Sequence, residues 1–268
     1  MKLVASVRTL TDVESAAAAL GRATGLTLAE ARIRLAPEPP AILASLAPQA
    51  ADALVEELRK AGVAVLALEG AAAAEGQRVV ARTAKLGPTG ATFQARTGVP
   101  IELPWAELVT ILRGASSVRS ETEVTQKSKQ FSLSTALATQ GLKTSTTVEK
   151  TARSQQEETE QAILLHGRGG QRIVLREREL DFSCLGTAMQ PTRTANMVAL
   201  ARVLKERAPA AFYDERLLRL GRRPLPMFLG GEKRVQEGKS SQTRTDTSGG
   251  LELLGEILSL AVQQGLLP

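Results

Sequence analysis

Residues 21–35, GRATGLTLAEARIRL, hold the turn on which the reading of the first seventy residues depends. Gly25 stops one helix, because only glycine enters the left-handed conformation there without strain. Thr27 followed three residues later by Glu30 is a capping box, which starts the next helix by satisfying its orphan N–H groups. The first helix is expected over Val13–Leu20 and the second over Leu28–Leu35. Thr11 and Glu14 have the same spacing and are read as the cap of the first.

Working outward, Lys2–Thr9 alternates well enough for a strand. PEPP (37–40) ends the second helix, and AILASL (41–46) reads as a short strand. Pro48 is suited to a helix start, Ala51, Leu54, Leu58 and Ala61 recur at helical spacing, and Gly62 is the expected stop. VAVLAL (63–68) closes the unit. The order β-α-α-β-α-β over residues 1–69 suits a three-stranded sheet covered by helices on one face.

Residues 23–66, ATGLTLAEAR…EP…AADALVEELRKAGVAV, resemble the C-terminal domain of the bacterial ribosomal stalk protein family. The resemblance spans about a quarter of the chain and rests on Gly25, Leu26, Leu28, Glu30-Ala31 and Ala61-Gly62 in register. It implies a compact protein-binding domain without catalytic chemistry, similar in fold to the Clp protease adaptor. The family docks translation factors through basic and apolar residues on its first two helices. The matching positions here are Val13, Glu14, Ala17, Ala18, Gly21 and Ala29, with Arg32 alone keeping a basic side chain. A changed protein partner is therefore expected, bound through Val13, Glu14, Ala17 and Arg32. A ribosome-bound or translation-factor-bound stalk paralogue is the alternative.

The rest of the 268 residues reads differently. EGAAAAEG (69–76) is a small-residue linker. QRVVARTAKL and ATFQAR flank the turn GPTG as a hairpin, and VPIELPWAELVTILRG suggests further strands anchored by Trp105. Residues 116–160 are rich in Ser, Thr, Gln and charge, and are expected to be a disordered insertion. AILLHG and QRIVLRE form a hairpin about RGG, and LDFSCLG reads as a last strand and turn. TANMVALARVLKERAP is an amphipathic helix burying Met197, Leu200, Ala201 and Leu204, with Thr194 as its expected N-cap. A β-rich domain over 77–213, an antiparallel barrel or sandwich with a closing helix, follows, and the chain is α+β in class. Its topology resembles a bacterial pleckstrin-homology-type domain. Residues 221–250 read as a flexible linker and 251–266 as an amphipathic helix. That helix could dock on the barrel, a partner groove or a membrane surface. Glu252 and Glu256, with no Lys or Arg, favour protein.

Formal net charge is +6, and aromatic residues make up only 3% of the chain. Residues 1–70 carry seven basic and eight acidic residues, and 193–234 carry ten and four, so the excess lies in the C-terminal third. Arg193, Arg202, Lys205, Arg207, Arg216, Arg219, Arg222 and Arg223 make this stretch a candidate surface for RNA or anionic lipid, though few aromatics accompany it for base stacking. One cysteine, Cys184, permits no internal disulfide, and no apolar run is long enough to span a bilayer, so a cytoplasmic location is expected.

His166 is the one histidine. It is read as a surface hairpin residue, and Cys184 as a buried, unreactive thiol. No zinc spacing, nucleotide fingerprint or cofactor motif is found, so neither cofactor nor catalytic residue is assigned. RIVLR (172–176) and DFSCLG (181–186) have the Arg-x-x-x-Arg and Asp-x-Ser-x-x-Gly forms. In these they resemble the PilZ family, which binds cyclic di-guanylate, and this makes Arg172, Arg176, Asp181 and Ser183 a candidate anionic-ligand site. The family places its arginines well ahead of the barrel motif, whereas here they nearly abut it. Alternating arginines on an exposed strand face are the plainer reading.

Overall fold

The structure is a computed structural model that describes residues 1–69, 78–131, 145–223, 232–237 and 240–268. The linker expected at 69–76 falls, apart from Glu69, outside the described residues. The first unit runs β1 (Lys2–Ser6), α1 (Val13–Thr24), α2 (Leu28–Leu35), β2 (Ala41–Leu46), α3 (Pro48–Lys60) and β3 (Val65–Glu69). Its sheet has the order β2-β1-β3, antiparallel throughout. Ala16, Ala17, Leu20, Ala31, Leu54 and Leu58 of the helices are buried with Val4, Leu43 and Val65 of the sheet. Small alanines let α1 lie close to its neighbours.

Thr27 caps α2 as its sequence requires: its hydroxyl accepts from the Glu30 N–H at 3.3 Å, and Glu30 accepts from the Thr27 N–H at 2.8 Å. The cap of α1 is Asp12, not Thr11; its carboxylate accepts from the Ser15 N–H at 3.0 Å. Gly25 stands at φ 73° and lets α1 run on to Thr24.

The second unit is built on one nine-stranded sheet. Its strands are β4 (Arg78–Leu86), β5 (Gly90–Ala95), β6 (Ile101–Pro104), β7 (Leu108–Phe131), β8 (Ser145–Gly167), β9 (Arg172–Arg176), β10 (Phe212–Arg216), β11 (Glu232–Glu237) and β12 (Ser240–Asp246). The order is β11-β12-β7-β8-β9-β4-β5-β6, with β10 beside β7. The sheet is open, and β4–β9 and β7–β10 pair in parallel, so the expected antiparallel barrel or sandwich is replaced by a mixed sheet. Helix α4 (Arg193–Arg207) covers one face with Met197, Leu200, Ala201 and Leu204, packed with Phe93, Ile111, Ile163 and Leu175. Its N-cap is Thr192 rather than Thr194. LDFSCLG is a 3₁₀ turn over Phe182–Ala188, not a strand.

Two expectations are corrected. Of the presumed disordered insertion 116–160, residues 116–131 and 145–160 are strand, continuing β7 and β8 in one unbroken antiparallel register to Phe131 and Ser145. Residues 132–144 lie outside the described residues. Each strand supplies the other's cross-strand backbone partners, and threonine suits a strand. In the presumed linker 221–250, residues 232–237 and 240–246 are β11 and β12, and β12 pairs with Val118–Val124 of β7. Residues 224–231 and 238–239 of that segment lie outside the described residues. The second unit therefore does not stop at residue 213.

Helix α5 (Leu217–Leu220) and helix α6 (Ser248–Gln263) complete the molecule. α6 is buried on nearly every side. Its Leu251, Leu253, Ile257, Leu258 and Ala261 share one core with Leu3, Ala5, Leu66 and Leu68 of the first sheet, with Val7 just after β1, and with Leu112, Leu164 and Val174 of the second sheet. The small sheet is thus covered on both faces, where helices on one face were expected. Gly114 and Gly255 permit the close seat on the large sheet. A Cβ at Gly114 would come 2.3 Å from Leu251, and one at Gly255 would come 2.4 Å from Leu164.

Candidate functional site

The first candidate is the outer face of α1 and α2. Val13 is 40% exposed, Leu28 43% and Ile33 72%. Glu14 and Arg32 form an ion pair that links the start of α1 to the second half of α2. Both charges are largely solvated, so the pair contributes little stability. Its effect is to cancel the one basic side chain kept at the matching positions. Ala17 is wholly buried in the helical core and cannot touch a partner, which corrects its place in the expected site. Leu28 and Ile33 were not placed in the expected binding site; for Ile33, an isoleucine between two arginines in a short helix was the available signal.

The second candidate centres on β9. Strand alternation turns Ile173 and Leu175 toward α4, and Arg172, Val174 and Arg176 toward α6. That face is covered, not exposed. Arg172 reaches Glu256 at 2.6 Å, and Arg176 reaches Glu252 at 3.0 Å. Arg78 of β4 bonds the other oxygen of Glu252. Glu252 and Glu256 lie one helical turn apart, which places both carboxylates on one stripe of α6 above β9 and β4. Their side chains are only 11% and 10% exposed. Both charges are therefore taken out of water and matched by guanidinium donors at short range.

His166 closes the cluster from β8. Its Nδ1 lies 2.8 Å from the Thr110 hydroxyl, and its Nε2 lies 3.8 Å from Glu256. It is buried, contrary to the surface position expected from its hairpin. Burial first, and then Arg172 and Arg78, push its pKa down to about 3, so the ring is neutral at ordinary pH.

Asp181 and Ser183 do not join Arg172 and Arg176. Asp181 caps the 3₁₀ turn, accepting from the Ser183 N–H at 2.9 Å and the Ser183 hydroxyl at 3.1 Å. That turn sends Phe182 and Leu185 into the core on the α4 side of the sheet. The four residues expected as one anionic-ligand site thus fall on two sides of the sheet. The space among Arg78, Arg172, His166, Glu252 and Glu256 is about 10 Å³, room for one water at most. With α6 seated, its glutamates occupy the place an external anion would take.

The basic stretch of the C-terminal third is also largely engaged. Arg216 pairs with Asp214 at 2.8 Å, and Arg219 and Arg223 both meet Glu38 of the first unit. Lys205 stands 4.6 Å over the Tyr213 ring, and Arg193 stands 5.9 Å over Phe182. Cys184 is partly buried, and burial raises its thiol pKa, which disfavours the reactive thiolate. Among the described residues no cluster of His, Cys, Asp and Glu could hold a metal ion, and no helix is long and apolar enough to cross a membrane.

No protein-family model matches the chain, and no curated protein or solved structure shows significant similarity to it.

Proposed function

We propose that this chain is a non-catalytic, cytoplasmic docking protein that engages a protein partner through the outer face of α1 and α2. One observation carries the reading. Of the seven large apolar side chains exposed among the described residues, three (Val13, Leu28 and Ile33) lie on these two helices. Glu14 and Arg32 pair with each other on the same two helices, so apolar contact rather than charge would supply the affinity. The opposite side of the first unit is occupied by α6. The resemblance to the stalk family agrees with protein docking, and Glu14 beside Arg32 accounts for a partner other than the family's usual one.

The test compares proteins co-purified with the full-length wild type, with Leu28→Asp/Ile33→Asp, and with Val99→Asp. Val99 is an exposed apolar residue in the second unit. A partner lost with the helix variant and retained with Val99→Asp supports the reading. An unchanged set of partners defeats it. Ribosomes or translation factors among the lost proteins would select the stalk-paralogue form of the proposal.

A further inference from the structure

Three buried cores run through the molecule, and α6 belongs to the middle one alone. One outer core lies between the large sheet and α4, the other between the small sheet and α1–α3. Each unit therefore keeps a core of its own if α6 lifts away. The root of α6 suits such a movement. Thr247, just ahead of the helix, is tied to β7: its N–H donates to the Ser117 carbonyl at 3.0 Å, and its hydroxyl accepts from the Ser117 N–H at 2.8 Å. Gly249 and Gly250 follow in the first turn, and glycine is the weakest helix former after proline. Beyond this root α6 is held by apolar contact, by the pairs of Glu252 and Glu256 with the arginines, and by Gln264 with Arg59.

His166 lies directly beneath this helix. A Cβ at Gly255 would come 3.7 Å from its Cε1, so the α6 backbone itself covers the ring. The groups facing the ring come from four elements: Thr110 of β7, Arg172 of β9, Arg78 of β4 and Glu256 of α6. Arg176 and Glu252 complete the cluster. Three guanidiniums and two carboxylates already leave one positive charge in excess around a neutral ring. A charge on the ring would add a second, and the enclosed space of about 10 Å³ has no room to hydrate it.

We propose that α6 is a proton-sensitive latch: a charged His166 fits only the molecule with α6 lifted off, so acid releases the helix about its Thr247 root while both outer cores stay folded. Release bares Leu112, Leu164 and Val174 of the large sheet and Leu3, Leu66 and Leu68 of the small one, together with the arginines. The sign follows from linkage. With α6 seated the ring titrates at about 3, and once open to water it returns toward 6.5. Between these values the open form binds the extra proton. Closure is therefore fully favoured above the upper value and weakens as pH falls below it.

The test is peptide-resolved hydrogen exchange of the full chain at pH 7 and pH 5, with each rate corrected for the intrinsic pH dependence of exchange. At pH 5 the amides of α6 should be less protected than those of α3 and α4. Their opening should be about twenty-five times more frequent than at pH 7, the ratio for one proton taken up by an ordinary imidazole. His166→Gln should abolish that ratio. Arg172→Met removes one cation facing the ring and leaves Glu256 to meet a charged imidazole, so it should shrink the ratio, and it serves as the second variant if His166→Gln does not fold. The wild-type ring gives a direct reading, since one histidine gives one Cε1–H resonance: in the closed molecule it should stay neutral down to pH 5. Protection of α6 equal to that of α4 at pH 5 would mean that the helix opens only with the whole molecule, and overturns the latch. A ratio that persists in His166→Gln, or a closed-state ring that titrates near pH 6.5, overturns it equally.

Discussion

Ile257→Ala tests whether α6 makes the two units one cooperative body. Ile257 is fully buried in the core shared by both sheets. Leu253, Ile257, Leu260 and Gln264 follow at helical spacing and so lie along one side of α6. Gln264 accepts a bond from Arg59 of α3 at 3.2 Å, which sets that side against the first unit. Gly255 and Leu251 look the other way, onto Leu164 and Gly114 of the large sheet. The substitution removes three buried carbon groups at about 0.8 kcal/mol each, so about 2.4 kcal/mol before any cavity is counted. Measured large-to-small changes of this kind cost about 2–5 kcal/mol, and about 3 kcal/mol is expected here. At roughly 2–4 °C per kcal/mol the thermal midpoint should fall by about 6–12 °C. Residues 1–69 contain no Trp, Tyr or Phe, so Trp105 fluorescence reports the second unit alone. Peptide-resolved hydrogen exchange in β1 and β3 reports the first, and should accelerate about a hundredfold if both open together. A fluorescence midpoint that falls while exchange in β1 and β3 stays unchanged would refute the shared core.

Two further outcomes follow from the buried charges. Glu252→Ala leaves Arg78 and Arg176 facing a dry helix without their carboxylate, and should destabilise the chain by about 3 kcal/mol in urea unfolding; a loss within about 0.5 kcal/mol would show the pairs to be solvated. His166 makes stability fall with acid. Its folded pKa of about 3 lies below the ordinary 6.5, so between these values the unfolded chain binds the extra proton and stability declines as pH drops. By pH 5 the loss is about 2 kcal/mol, and His166→Gln should flatten the slope between about pH 5 and 7. An unchanged slope in that variant would assign the acid sensitivity to other groups.

The first unit was legible because its signals are local. Thr27, Glu30 and Gly25 act within one turn of their own backbone, and the alanine and leucine spacings of α1 and α3 need no knowledge of what they touch. The β7–β8 ribbon was misread for the opposite reason. The sequence of residues 116–160 is rich in Ser, Thr, Gln and charge, and composition alone reads as disorder; of these, 116–131 and 145–160 pair with each other as strands, a partnership that composition does not announce. The fate of Arg172 and Arg176 was hidden in the same way. Strand alternation correctly put them on one face of β9, but whether that face meets water, a ligand or protein depends on residues some eighty positions later.

The signal that decides between those outcomes was present at the C-terminus. A helix apolar on almost every side is a buried helix. Two glutamates one turn apart in such a helix would be too costly to bury unless cations await them. Arg172 and Arg176 are spaced to meet them along a strand: four residues of β9 rise about 13 Å and four residues of α6 about 6 Å, so each arginine reaches inward to a carboxylate. Arg78, brought alongside by the parallel β4–β9 pairing, supplies the third cation. The sheet-borne arginines and the helix-borne glutamates thus specify one another. Any external anion at this place must displace α6 and expose the apolar faces of both sheets together.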